Sequence, residues 1–108
     1  MSYDAWYEVE VDGDWVAASD GRNYTSNVSR IWREAGCDIA EFHGRPVGAF
    51  RAALIKAITT IEADPERFRA MNATNGWGDA DGCVEHFLKP LLRDAYLVNQ
   101  SARVVVSR

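Results

Sequence analysis

Two segments of the chain bring planar amides, an aromatic ring and a helix start into the same few residues. The first is Arg22-Asn23-Tyr24-Thr25-Ser26-Asn27, read as a loop running into a helix. Helix N-termini expose unpaired backbone N–H groups and carry partial positive charge, so they suit phosphates and carboxylates. Arg22 adds a forked guanidinium and Tyr24 a stacking face. Thr25 adds a hydroxyl, and Asn23 and Asn27 supply both donors and acceptors. The second segment, Asn72 to Asp79, repeats the scheme, with Asn75, Trp77 between two glycines, and Asp79 just before another helix start. If both helices begin at one end of the domain, Arg22, Asn23, Tyr24, Thr25, Asn27, Asn75, Trp77 and Asp79 line one cleft. The same residue types also cap helices and shape turns, which is the competing reading of each segment alone. Their co-occurrence is what favours a joint site.

Other chemistries find less support. Cys37, His43, Cys83 and His86 are the only cysteines and histidines, and Cys83 and His86 sit three apart, on one helix face. The spacing Cys-x5-His then Cys-x2-His matches no zinc pattern, so no metal is expected. Neither Cys–His pair has the strand-to-helix elbow of a nucleophile. The carboxylate pairs Asp79/Asp81 and Glu62/Asp64 read as solvated caps, with Asp79 the one to watch because it closes the second loop. The expectation is a binding protein without catalytic residues or cofactor.

Bulk properties narrow the partners. Across 108 residues the formal charge is −4, with 47% apolar and 26% charged residues. That is one globular domain with no pull toward a nucleic-acid duplex or an anionic membrane. No stretch approaches the length of a membrane span. The start Met1-Ser2-Tyr3-Asp4 lacks the basic and apolar regions of a secretory signal, and two lone cysteines suit a reducing compartment. A cytoplasmic location follows as the expectation. The sequons at Asn23, Asn27, Asn72 and Asn99 then have no role.

These residues need elements to position them. Ala5, Tyr7, Val9 and Val11 alternate with polar neighbours, Asp12-Gly13 supplies a tight turn, and Asp14 to Ala18 returns as a hairpin. Ser19-Asp20-Gly21 reads as a second turn, and Val104-Val105-Val106 as a last strand on the same sheet. Val28, Ile31, Trp32 and Ala35 predict a helix capped by Ser26 or Asn27 and stopped at Gly36. Pro46 opens a longer helix with Val47, Phe50, Leu54, Ile58 and Ile61 as its apolar stripe. Asp64-Pro65-Glu66 starts a short helix with Phe68 and Met71 inward. The last helix begins near Ala80, buries Val84, Phe87, Leu88, Leu91, Leu92 and Ala95, and should kink or break at Pro90. The fold class is α+β: one domain over residues 1–108, with a small antiparallel sheet (N-terminal hairpin plus C-terminal strand) packed by three to four helices.

Asn23-Tyr24-Thr25-Ser26-Asn27-Val28, with Trp32 behind it and Asn75-Gly76-Trp77-Gly78 before the last helix, resembles a group of small actinobacterial and actinophage proteins. That group pairs a Tyr-Thr-x-Asn segment with a downstream Asn-Gly-Trp-Gly. The resemblance implies an accessory gene product of phage or prophage type and marks the same two segments. The leading expectation is therefore non-enzymatic binding of a small polar or anionic ligand. The alternative is a protein-interaction module, such as an inhibitor of a host enzyme or defence complex. It would act through Trp6 and Trp15 on the hairpin or through an acidic helix face, and the hairpin would equally serve as a homodimer seam.

Overall fold

Ten residues at the N-terminus set the frame. In the computed structural model, which describes residues 1–108, β1 spans Ser2–Val11 and turns through Asp12 and Gly13, both at positive φ, into β2, Asp14–Ala17. The next segment does not turn away. Four residues, Ala18 to Gly21, bulge opposite Trp6 and Tyr7, and the chain resumes pairing with β1 as β3, Arg22–Thr25. The expected turn at Ser19-Asp20-Gly21 is therefore a two-residue bulge. Ser19 stabilises it, because its Oγ accepts the Tyr7 N–H at 3.0 Å in place of a ladder carbonyl.

The last strand, β4 (Arg103–Ser107), pairs antiparallel with Asp4 to Glu8 of β1. Asp4, Ala5 and Glu8 each have partners on both sides, so β4 lies along the edge of β1 opposite β2 and β3. The sheet has four strands but is three strands wide. It is α+β as the sequence indicates, about 49% helix and 22% strand. The outer edge of β4 is closed by the segment before α2: Gly44 N–H reaches the Val104 carbonyl, and Val104 N–H reaches the Arg45 carbonyl.

Helical elements cover one face only. A 3-10 turn (Ser26–Val28) leads into α1, Ser29–Glu34, and a second 3-10 turn spans Ile39–Phe42. α2 is Val47–Ala63 and α3 is Pro65–Arg69. α4 (Ala80–Cys83), a π turn (Val84–Leu88) and α5 (Lys89–Leu97) run on as one helix. The apolar stripe of α2 is buried as its spacing requires, and so are Tyr3, Ala5 and Tyr7 on the inner face of β1. Tyr7 packs on Phe50 and donates to the Leu91 carbonyl at 2.6 Å; burial pushes its phenol well above the ordinary tyrosine range. Val11, expected inward, is half exposed, because the hairpin tip extends beyond the helices.

The disturbance expected at Pro90 takes a specific form. A proline inside a helix lacks an N–H and crowds the carbonyl four residues back. Here the preceding turn widens to π spacing, with Lys89 N–H bonded to the Val84 carbonyl. The helix passes Pro90 without breaking. None of the helices is long and apolar enough to cross a membrane.

Candidate functional site

The first expected loop is largely strand. Arg22 to Thr25 form β3, and their side chains alternate between the two faces of the sheet. Arg22 and Tyr24 point inward and Asn23 and Thr25 outward, following their partners Ala5, Tyr3, Asp4 and Ser2. The helix cap also differs from expectation. Thr25, rather than Ser26 or Asn27, caps the 3-10 turn, its Oγ1 accepting the Asn27 N–H. The sequence misreads this strand because it is short, polar and preceded by glycine.

The second segment does come to meet the first. Tyr24 Oη accepts the Asp79 N–H at 3.2 Å and lies 3.3 Å from the Asp79 carbonyl. The Tyr24 ring stacks on Phe87, with centroids 6.1 Å apart and planes at 23°. Gly78 packs so closely that a Cβ there would lie 2.4 Å from Thr25 Cγ2. The two segments are joined edge to edge where Tyr24 meets Asp79 and Thr25 meets Gly78.

Contacts within the fold occupy most of the polar groups expected to meet a ligand. Arg22 forms a two-pronged ion pair with Asp94 at 2.8 and 3.0 Å, which raises the guanidinium pKa further. Asn23 donates to Ser2 and Asp4. Asn75 accepts from Trp77 N–H, Asn72 from Ala80 N–H, and Asp79 caps α4 through Gly82 N–H at 2.6 Å. Capping and turn chemistry account for Asn75 and Asp79. Two expected residues remain available: Trp77, 71% exposed, and the exposed Asn27. With Met1, Ser2 and Thr25 they border an opening of about 420 Å³.

The cysteines are core residues. Both are fully buried, and burial pushes each thiol up to about 12, so neither is a thiolate near neutral pH. Cys83 is buried whereas His86 is exposed, so they do not share a face as expected. His43 Nδ1 accepts the Val106 N–H. No three His, Cys, Asp or Glu side chains converge on a metal position.

Sequence reasoning missed how its two rival sites are related. On the face of the sheet opposite the helices, β1 presents Ser2, Asp4, Trp6, Glu8 and Glu10, none of them buried. Beside them lie Trp15 and Ala17 of β2, Asn23 and Thr25 of β3, and Arg103 and Val105 of β4. The Trp77 opening, lined by Ser2 and Thr25, continues the same surface. Trp15, Trp6 and Trp77 thus lie along one uncovered face, whose central strand is about 33 Å long. The signal was the alternation of Trp6 against Tyr7, combined with pairings that only a structure supplies.

Charge is divided unevenly along the chain, and Asp4, Glu8 and Glu10 of the acidic part lie on this face. From Met1 to Gly21 there are six carboxylates and no Lys or Arg. All twelve cations therefore lie after Gly21, against ten carboxylates. The one cation on the face, Arg103, sits 4.0 Å over the Trp15 ring and 2.9 Å from Glu8. Those hydrogen bonds from Arg103 hold the Glu8 carboxyl below the ordinary glutamate range.

The Glu8 shift sets a pH dependence. A depressed folded-state pKa contributes stability above the unfolded value of about 4.3, and that contribution is lost as pH falls through the folded value. Glu8→Gln is expected to lower stability at pH 7 by about 1 kcal/mol or less, since Arg103 is partly solvated. The difference should vanish by about pH 3, when thermal melts of the two proteins are compared. A gap that persists at acid pH would show that the ion pair contributes nothing.

No protein-family model, curated protein or solved structure matches this chain.

Proposed function

We propose that this protein is an interaction module that takes an extended, basic polypeptide segment of a partner across the uncovered face of its sheet. One observation carries the reading: three tryptophans lie along that face, and two of them, Trp6 and Trp15, are on the acidic N-terminal hairpin. Trp15 is 39% exposed on the protruding hairpin. Aromatics with a charged rim are typical of protein-binding surfaces. Tryptophans on a sheet would equally stack single-stranded bases, but nucleic-acid surfaces are basic and this one is acidic. The free outer edge of β2 could pair with an extended segment. The resemblance to small phage and actinobacterial proteins supports an accessory role against a host protein, and two unpaired buried cysteines agree with a cytoplasmic setting.

The test is selection from a displayed library of random twelve-residue peptides. Arginine- and lysine-rich sequences are expected on the native protein. A Trp6→Ala/Trp15→Ala protein that keeps its circular dichroism should lose them. Enrichment of acidic or neutral sequences, or enrichment indifferent to both tryptophans, overturns the reading. A second copy of the chain is the competing occupant of the hairpin, and sedimentation equilibrium that shows dimers dissociating on Trp15→Ala would favour it.

A second reading is favoured by the opening beside Trp77, Asn27 and Thr25, which would take a small polar, nucleotide-like ligand. It expects a thermal shift with nucleotides that Trp77→Ala removes and Trp15→Ala does not.

A further inference from the structure

We infer that the opening beside Trp6 is a subsite for one arginine side chain of that partner. The inference rests on the sheet-face reading above. The opening measures about 320 Å³ and is lined by Asp4, Trp6, Ala17, Ser19, Gly21 and Ser107. It exists because of the bulge: the extra residues between Ala17 and Arg22 carry the chain away from β1 opposite Trp6. Gly21 leaves its side clear, with nothing within 4 Å of where a Cβ would stand.

The chemistry of the lining selects a planar cation. Trp6 provides a ring face, and Asp4 a carboxylate that is in no ion pair in the molecule. Only Oδ1 of Asp4 is engaged, by the Asn23 amide at 3.0 Å, leaving Oδ2 to accept. Ser19 Oγ already accepts from Tyr7 N–H and has a further lone pair, and Ser107 brings another hydroxyl.

The molecule itself shows this combination holding a guanidinium. Along the same face Arg103 sits over the Trp15 ring and bonds Glu8, an indole and a carboxylate around one arginine. Trp6 and Asp4 repeat that pair toward the other end of the sheet, with no arginine between them. Stacking on the indole and a charge-assisted bond to a carboxylate oxygen favour guanidinium over the compact, strongly hydrated ammonium of lysine.

The test titrates isotope-labelled protein with the blocked tripeptide acetyl-Gly-Arg-Gly-amide, followed by amide and indole resonances. Saturable shifts are expected at the Trp6 indole N–H and the Asp4, Ala17 and Ser19 amides. The citrulline tripeptide, which keeps the shape and loses the charge, should bind at least about tenfold more weakly, as should the arginine tripeptide to Asp4→Asn. Equal binding of citrulline, or shifts confined to Trp15 or Trp77, overturns the subsite. If library peptides still depend on Trp15 in that case, the sheet-face reading survives. If that dependence is lost as well, both fall.

Discussion

Phe87→Ala is expected to lower the unfolding free energy by about 3–5 kcal/mol, the range for removing a fully buried phenylalanine. Against a total of about 5–15 kcal/mol for a domain of this kind, that is a large fraction. Phe87 is fully buried on the π turn, stacked on Tyr24 and packed on Trp32 with ring centroids 5.3 Å apart. It links the first motif segment, through Tyr24, to α1, through Trp32. Truncation removes the support beneath Tyr24, and with it the anchor of the Asp79 backbone. Urea denaturation measures the loss. A change below about 1 kcal/mol would mean that the site collapses around the missing ring and that the π turn does not organise this junction.

Gly78→Ala is expected to destabilise by about 2–4 kcal/mol from two separate causes. Its φ of +85° is costly for any residue with a Cβ, and that Cβ would meet Thr25 Cγ2 at 2.4 Å and Tyr24 Cε2 at 3.3 Å. Gly76 provides the control. Its φ is +76° but nothing lies within 4 Å, so Gly76→Ala should cost only the conformational part, about 1–2 kcal/mol. Thermal melts of both variants decide the matter. If the two proteins lose the same stability, Gly78 does not seal the second segment against β3. If Gly78→Ala costs clearly more, Trp77 should also lose peptide or nucleotide binding at its end of the face, while the hairpin end keeps its own.

Much of the fold follows from local pattern. The α2 stripe from Val47 to Ile61, the Asp12-Gly13 turn, the short helix at Pro65 and the inward Tyr3, Ala5 and Tyr7 answer to periodicities of 3.6 and 2 that neighbouring residues carry by themselves. The candidate site was legible only in part. Residue types placed Trp77 and Asn27 at an accessible surface. They did not show that Asn75 and Asp79 are spent on caps, or that Arg22 is committed to Asp94, 72 residues away.

Of the feature that matters most, the sequence by itself determined the parts: an acidic, tryptophan-bearing hairpin and an Asn-Gly-Trp-Gly loop. The tertiary structure alone decided that they share one face. A polar tetrapeptide such as Arg22–Thr25 becomes a strand only because β1 offers it an open edge, and that edge is set by residues far away in sequence. Which side of a sheet stays bare likewise depends on where the helices pack. Local spacing alternates side chains between two faces but does not say which face is covered.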